Sequence, residues 1–66
     1  MATFSERLQE LKKSHGVMQK DVAIAIGVPL RTYQRYEYGE GEPQLSTLVK
    51  LADFYGVTLD YLAGRE

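Results

Sequence analysis

Sixty-six residues allow one domain, expected to span 1–66, with one small hydrophobic core. Without cysteine there is no disulfide or thiolate metal site, and the lone His15 offers no histidine cluster, so neither a metal nor another cofactor is expected. The net charge of −1 is low for a partner of polyanions, but it is unevenly spread. Residues 1–37 set Arg7, Lys12, Lys13, Lys20, Arg31 and Arg35 against Glu6, Glu10, Asp21 and Glu37. Residues 38–66 set only Lys50 and Arg65 against Glu40, Glu42, Asp53, Asp60 and Glu66, so the first part is net positive and the second net negative.

The chain opens without a basic flank followed by an apolar run, which argues against a secretory signal. No apolar stretch nears the roughly 20 residues of a bilayer span, so the expected setting is cytoplasmic with no membrane partner. A first helix is expected from Phe4 to Ser14. Thr3 and Glu6 have the spacing of a capping box, and Phe4, Leu8 and Leu11 form an apolar stripe. His15, near the end of this helix, is expected to be exposed.

The stretch Gln19 to Glu37, QKDVAIAIGVPLRTYQRYE, carries the most information. Two helices, 19–26 and 30–38, are expected on either side of a tight turn at Gly27, where a left-handed backbone costs glycine nothing. Ala23, four residues before that glycine, leaves room for a close helix crossing. Pro29 suits a first helical position and pushes Val28 into an extended conformation. The second helix then exposes Leu30, Arg31, Thr32, Gln34 and Arg35, mostly side chains that bond to base edges and phosphates. A helix-turn-helix over 19–38 with such a face is the pattern of a DNA-binding motif. Tyr33 and Tyr36 are expected in the core with their hydroxyls reaching its rim.

After a loop from Glu40 to Pro43, a fourth helix is expected from Gln44 to Tyr55. Leu45, Leu48, Leu51, Ala52 and Tyr55 would lie on its inner face. A short fifth helix, 59–63, is capped by Thr58, with Val57 stapled onto Leu62. Glycines 16, 27, 39, 56 and 64 all fall at helix ends, so the five-helix, all-α parse is mutually consistent. No glycine-rich phosphate loop and no convergence of titratable groups points to an enzyme.

These residues together resemble the lambda-repressor-like helix-turn-helix family, also called the Cro/cI or XRE type. The resemblance covers nearly the whole chain: RLQELK in the first helix, Q-x-x-VA-x-x-IGV across the turn, YQRYE-x-G through the third helix, Pro43 in the loop, and TLVKLADFYGVTLDYL at the end. It implies a compact five-helix domain that binds double-stranded DNA as a transcriptional regulator, a repressor by type, through major-groove readout by its third helix. Gln19 would hold a phosphate and brace that helix. Arg31, Thr32 and Arg35 would reach base edges, Leu30 would either touch a thymine methyl or pack into the turn, and Gln34 would take phosphate or base. Glu37 would pair with Lys12. A homodimer on a palindromic site is also implied, with Leu59 and Tyr61 as the contact candidates.

Five positions depart from the family pattern. Met18 stands where a hydroxyl cap is usual, Pro29 where a serine or threonine is usual, Glu40 and Glu42 where the loop is often basic, and Ile24 where a polar residue is usual. The alternative reading is a protein-binding or antitoxin-like module on the same fold, with Ile24, Phe54, Leu59 and Tyr61 as contact area. Retention of Gln19 and of the basic helix face favours DNA.

Overall fold

The structure is a computed structural model that describes residues 3–65. It contains α1 (Phe4–His15), α2 (Gln19–Ile26), α3 (Leu30–Glu37), α4 (Leu45–Tyr55) and α5 (Leu59–Leu62), with no strand among the described residues. Each helix packs chiefly on two others, in a circuit that runs α3–α1–α5–α4–α2 and back to α3. Eleven buried apolar side chains fill the centre of that ring, among them Leu8, Val22, Ile26, Tyr33, Leu51 and Leu62.

Local signals set the helix limits. The Thr3 hydroxyl accepts the Glu6 N–H, and the Glu6 carboxylate accepts the Thr3 N–H at 2.9 Å, completing the capping box. The Thr3 backbone N–H first, and the Thr3 hydroxyl second, hold the Glu6 carboxyl below the ordinary carboxylate range. At α2, Met18 supplies no side-chain cap, but the Asp21 carboxylate accepts the Met18 N–H at 3.3 Å. Thr58 caps α5 by accepting the Tyr61 N–H at 3.0 Å.

Helices α1, α2 and α4 all end in a Gly-Val pair. At the central turn, Gly27 has φ 74°, its N–H donates to Ile24, and the Val28 N–H donates to Ala23 at 3.0 Å. The valine after each glycine (Val17, Val28, Val57) then packs on the core. The turn between α2 and α3 thus closes without a buried unpaired amide, and Ala23, itself buried, sits at its base.

Three expectations are corrected. Pro29 is the residue before α3, with φ −61° and ψ 149°, so the first helical residue is Leu30. Proline fixes φ alone, and this φ suits both positions; ψ decides between them. Leu45 is 69% exposed. As the first residue of α4 its side chain points back toward the helix start, beyond the packed ring. The Tyr33 hydroxyl does not reach the rim: the whole side chain is buried.

Candidate nucleic-acid interface

Helix α3 is held against α1 and α2 by its apolar face and by one buried carboxylate. Tyr33 and Tyr36 are buried, and Phe4 meets the Tyr36 ring edge-on at 6.4 Å. One residue further along, Glu37 is the only buried charged residue among those described. Its Oε1 accepts from Lys12 Nζ of α1 at 3.1 Å and from Gln19 Nε2 of α2 at 3.2 Å. Its backbone carbonyl accepts from Gln9 Nε2 of α1 at 2.6 Å. Gln19 is bonded in turn to Gln34, whose Nε2 donates to Gln19 Oε1 at 3.1 Å. Four polar side chains from three helices therefore converge on the last turn of α3 and fix its angle to the rest of the domain.

The buried Glu37 Oε2 and the Tyr33 and Tyr55 hydroxyls interact electrostatically while falling short of formed hydrogen bonds. Burial first, then the Glu37 carboxylate and the Tyr55 hydroxyl, push the Tyr33 pKa far up. Burial also raises that of Tyr55, against an opposing effect of Tyr33.

The outer face of α3 carries Leu30, 42% exposed, with Arg31 and Arg35 exposed and Thr32 and Gln34 half-buried. Arg35 also leans along the chain, donating from Nη2 to the Glu40 carbonyl at 3.4 Å. Glu40 is tied to the same helix end through its N–H, 2.9 Å from the Arg35 carbonyl. Glu42 lies elsewhere, at a groove shared with Phe4, Pro43, Leu48 and Ala63. Leu59 is 38% exposed on α5, whereas Tyr61 is half-buried with the Arg7 guanidinium over its ring at 4.1 Å. Ile24, at 77%, is the most exposed large apolar side chain described.

The structure thus brings together Lys12, Gln19, Gln34 and Glu37, and sets Leu30, Arg31, Thr32 and Arg35 beside them on one helix. Gln9 was not singled out from sequence. Its signal was its place one turn before Lys12 on the same face of α1. An open cleft beside this cluster is lined by residues of both charges, including Glu6, Glu10, Lys12 and Lys13. Among the described residues no group of three or more His, Cys, Asp or Glu is placed to hold a metal, and no helix is long and apolar enough to cross a membrane.

Comparison with known proteins places this geometry. A family model described as Helix-turn-helix matches residues 8–62. The SPbeta prophage-derived HTH-type transcriptional regulator YonR of Bacillus subtilis is 41% identical over 59 residues, covering 89% of this chain and 55% of its own. The cryptic phage CTXphi transcriptional repressor RstR of Vibrio cholerae is 42% identical over 60 residues, covering 91% and 54%. The chain spans about half the length of these curated relatives. Among solved structures, a transcriptional regulator from Listeria innocua superposes with TM-score 0.89 at 35% identity, over 94% of this chain and 58% of that one. The P22 c2 repressor, solved with a synthetic operator, superposes with TM-score 0.93 over all of both chains; at 23% identity it shows a common fold.

Proposed function

The chain belongs to the helix-turn-helix family of lambda-repressor-like, XRE-type proteins, and on that premise we propose that it binds double-stranded DNA in the major groove through α3. The observation that carries this reading is the outer face of α3: Arg31, Thr32, Gln34 and Arg35 on a helix whose inner side is locked by Glu37, Lys12, Gln9 and Gln19. A rigid helix with two exposed arginines suits base readout, because arginine bonds guanine O6 and N7 together.

Its role is regulation of transcription, repression in the first place, without enzymatic activity. The names of its relatives support this, since they include a phage repressor and several HTH-type regulators. It acts as a homodimer on a palindromic site, because one helix reads few base pairs while two reach half-sites about 34 Å apart. The setting is the cytoplasm. Exposed Ile24 offers a point of contact for a protein partner on DNA.

Fluorescence anisotropy on random-sequence duplex DNA across a salt series tests the reading. Affinity should fall steeply with salt, by about 0.9 log units per log unit of salt for each phosphate contact. Undetectable binding at the lowest salt would favour a protein-only partner.

A further inference from the structure

We propose that Glu37, acting through Gln19, fixes which end of the Gln34 amide faces DNA, and thereby makes Gln34 a reader of amino-bearing bases, adenine before cytosine. The proposal rests on the DNA-binding reading and decides between the two roles open to Gln34, phosphate contact and base contact.

The reasoning starts from what a carboxylate can do. Glu37 is buried at the end of α3 and paired with the Lys12 ammonium, and a carboxylate only accepts hydrogen bonds. The Gln19 group that meets it at 3.2 Å must therefore be the amide nitrogen. That choice turns the Gln19 oxygen toward Gln34, and an oxygen there requires the Gln34 nitrogen opposite it, as seen at 3.1 Å. Turning Gln19 around would set oxygen against the Glu37 carboxylate and nitrogen against the Gln34 nitrogen. Turning Gln34 alone would set two amide oxygens face to face. Either change forfeits hydrogen bonds in a half-buried site, so one acidic residue imposes a direction on the whole series.

The Gln34 amide is left with its carbonyl oxygen and one N–H uncommitted. A phosphate presents only acceptors, so it can take the free N–H but leaves the carbonyl without a donor. In the major groove adenine presents the N6 amino donor beside the N7 acceptor, matching both free groups, and cytosine presents the N4 amino donor. Guanine and thymine present acceptors there, which can take the free N–H but offer the carbonyl no donor, so one of the two free groups is left unmatched. An unrestrained glutamine can rotate its amide to suit any of the four; this one cannot.

Selection of bound duplexes from a random pool tests the idea with three variants. Gln34→Ala locates the base position that Gln34 contacts. The wild type should prefer adenine or cytosine there. Gln19→Met keeps the side-chain length but neither donates nor accepts with amide strength, so it frees Gln34 while leaving the Glu37–Lys12 pair. It should lower the preference at that one position by about fivefold or more and leave preferences that depend on Arg31 and Arg35 in place. Glu37→Gln, whose neutral amide can meet Gln19 either way round, should relax the same position, and thermal melting reports whether each variant is folded. A preference for guanine or thymine, an unchanged preference in folded Gln19→Met, or an equal loss on all sequences in Gln34→Ala would overturn the proposal. A wild type that binds no duplex at all overturns the DNA-binding reading itself, and this proposal with it.

Discussion

Lys12 Nζ lies 3.1 Å from Glu37 Oε1, joining the end of α1 to the end of α3 across 25 residues of sequence, with the Glu37 side chain 3% exposed and that of Lys12 25% exposed. The relationship is lopsided. Removing the lysine charge strands a buried carboxylate on the Gln19 amide alone, whereas removing the glutamate leaves an ammonium that water can reach. Breaking a fully buried pair costs about 3–5 kcal/mol; with the lysine partly exposed, we expect Lys12→Met to cost about 2 kcal/mol. A double-mutant cycle with Glu37→Ala should give an interaction energy above about 0.5 kcal/mol. Additive losses in urea denaturation would mean that the two groups do not stabilise each other.

The Tyr33 hydroxyl makes the fold sensitive to alkali. Burial, Glu37 and Tyr55 raise its pKa in the folded state, while in the unfolded chain it titrates near the ordinary tyrosine value of about 10. A raised pKa means stability that is complete below the unfolded value and lost as pH climbs above it, because the unfolded chain then releases a proton that the folded one keeps. Urea midpoints for the wild type and Tyr33→Phe, taken near pH 8 and near pH 11, should diverge, with the wild type losing more. Equal losses would place the alkaline sensitivity elsewhere.

The two loop carboxylates should behave differently. Glu40 is attached to the end of α3 beside Arg35, whereas Glu42 borders the groove with Phe4, Leu48 and Ala63. Glu40→Lys should tighten binding to operator and random DNA alike and steepen the salt dependence by up to about 0.9 log units. Glu42→Lys should change either quantity little. Anisotropy at several salt concentrations separates them, and equal effects of the two substitutions would mean that both approach the phosphates.

For self-association, Leu59 is the better contact of the two candidates on α5, because Tyr61 is half-buried and covered by Arg7. Leu59→Glu should shift the protein toward monomer in sedimentation, lower operator affinity and leave the helical signal intact. A wild type that is monomeric and still grips a single half-site tightly would contradict the dimer.

The helices were most legible where a boundary carries its own chemistry. Thr3 and Thr58 cap where they were expected to, and a left-handed glycine ends α1, α2 and α4 with a valine behind it. The failures share a cause. Periodicity places a residue on a face but does not say how far the neighbouring helix extends. It therefore grouped Leu45 with the packed face, although Leu45 itself stands exposed while Leu48, in the same turn, packs on the core. For the same reason it sent the Tyr33 hydroxyl to a rim that lies further out. At the interface, the Lys12–Glu37 pair and the bracing role of Gln19 followed from the family resemblance. The Gln19–Gln34 bond and the Gln9 contact depend on the crossing of α1, α2 and α3, which spacing along one helix does not encode.

The central claim is that α3 reads DNA with Arg31 and Arg35. Anisotropy with a duplex selected from a random pool, comparing the wild type with Arg31→Ala, Arg35→Ala and the double variant, tests it most directly. Each single change should weaken binding. Arg31→Ala should relax the preference at one base position, by about 1–3 kcal/mol of discrimination. Arg35→Ala should do so at another position, or lower affinity uniformly if it holds phosphate. A folded double variant that keeps full affinity and full preference would contradict the account.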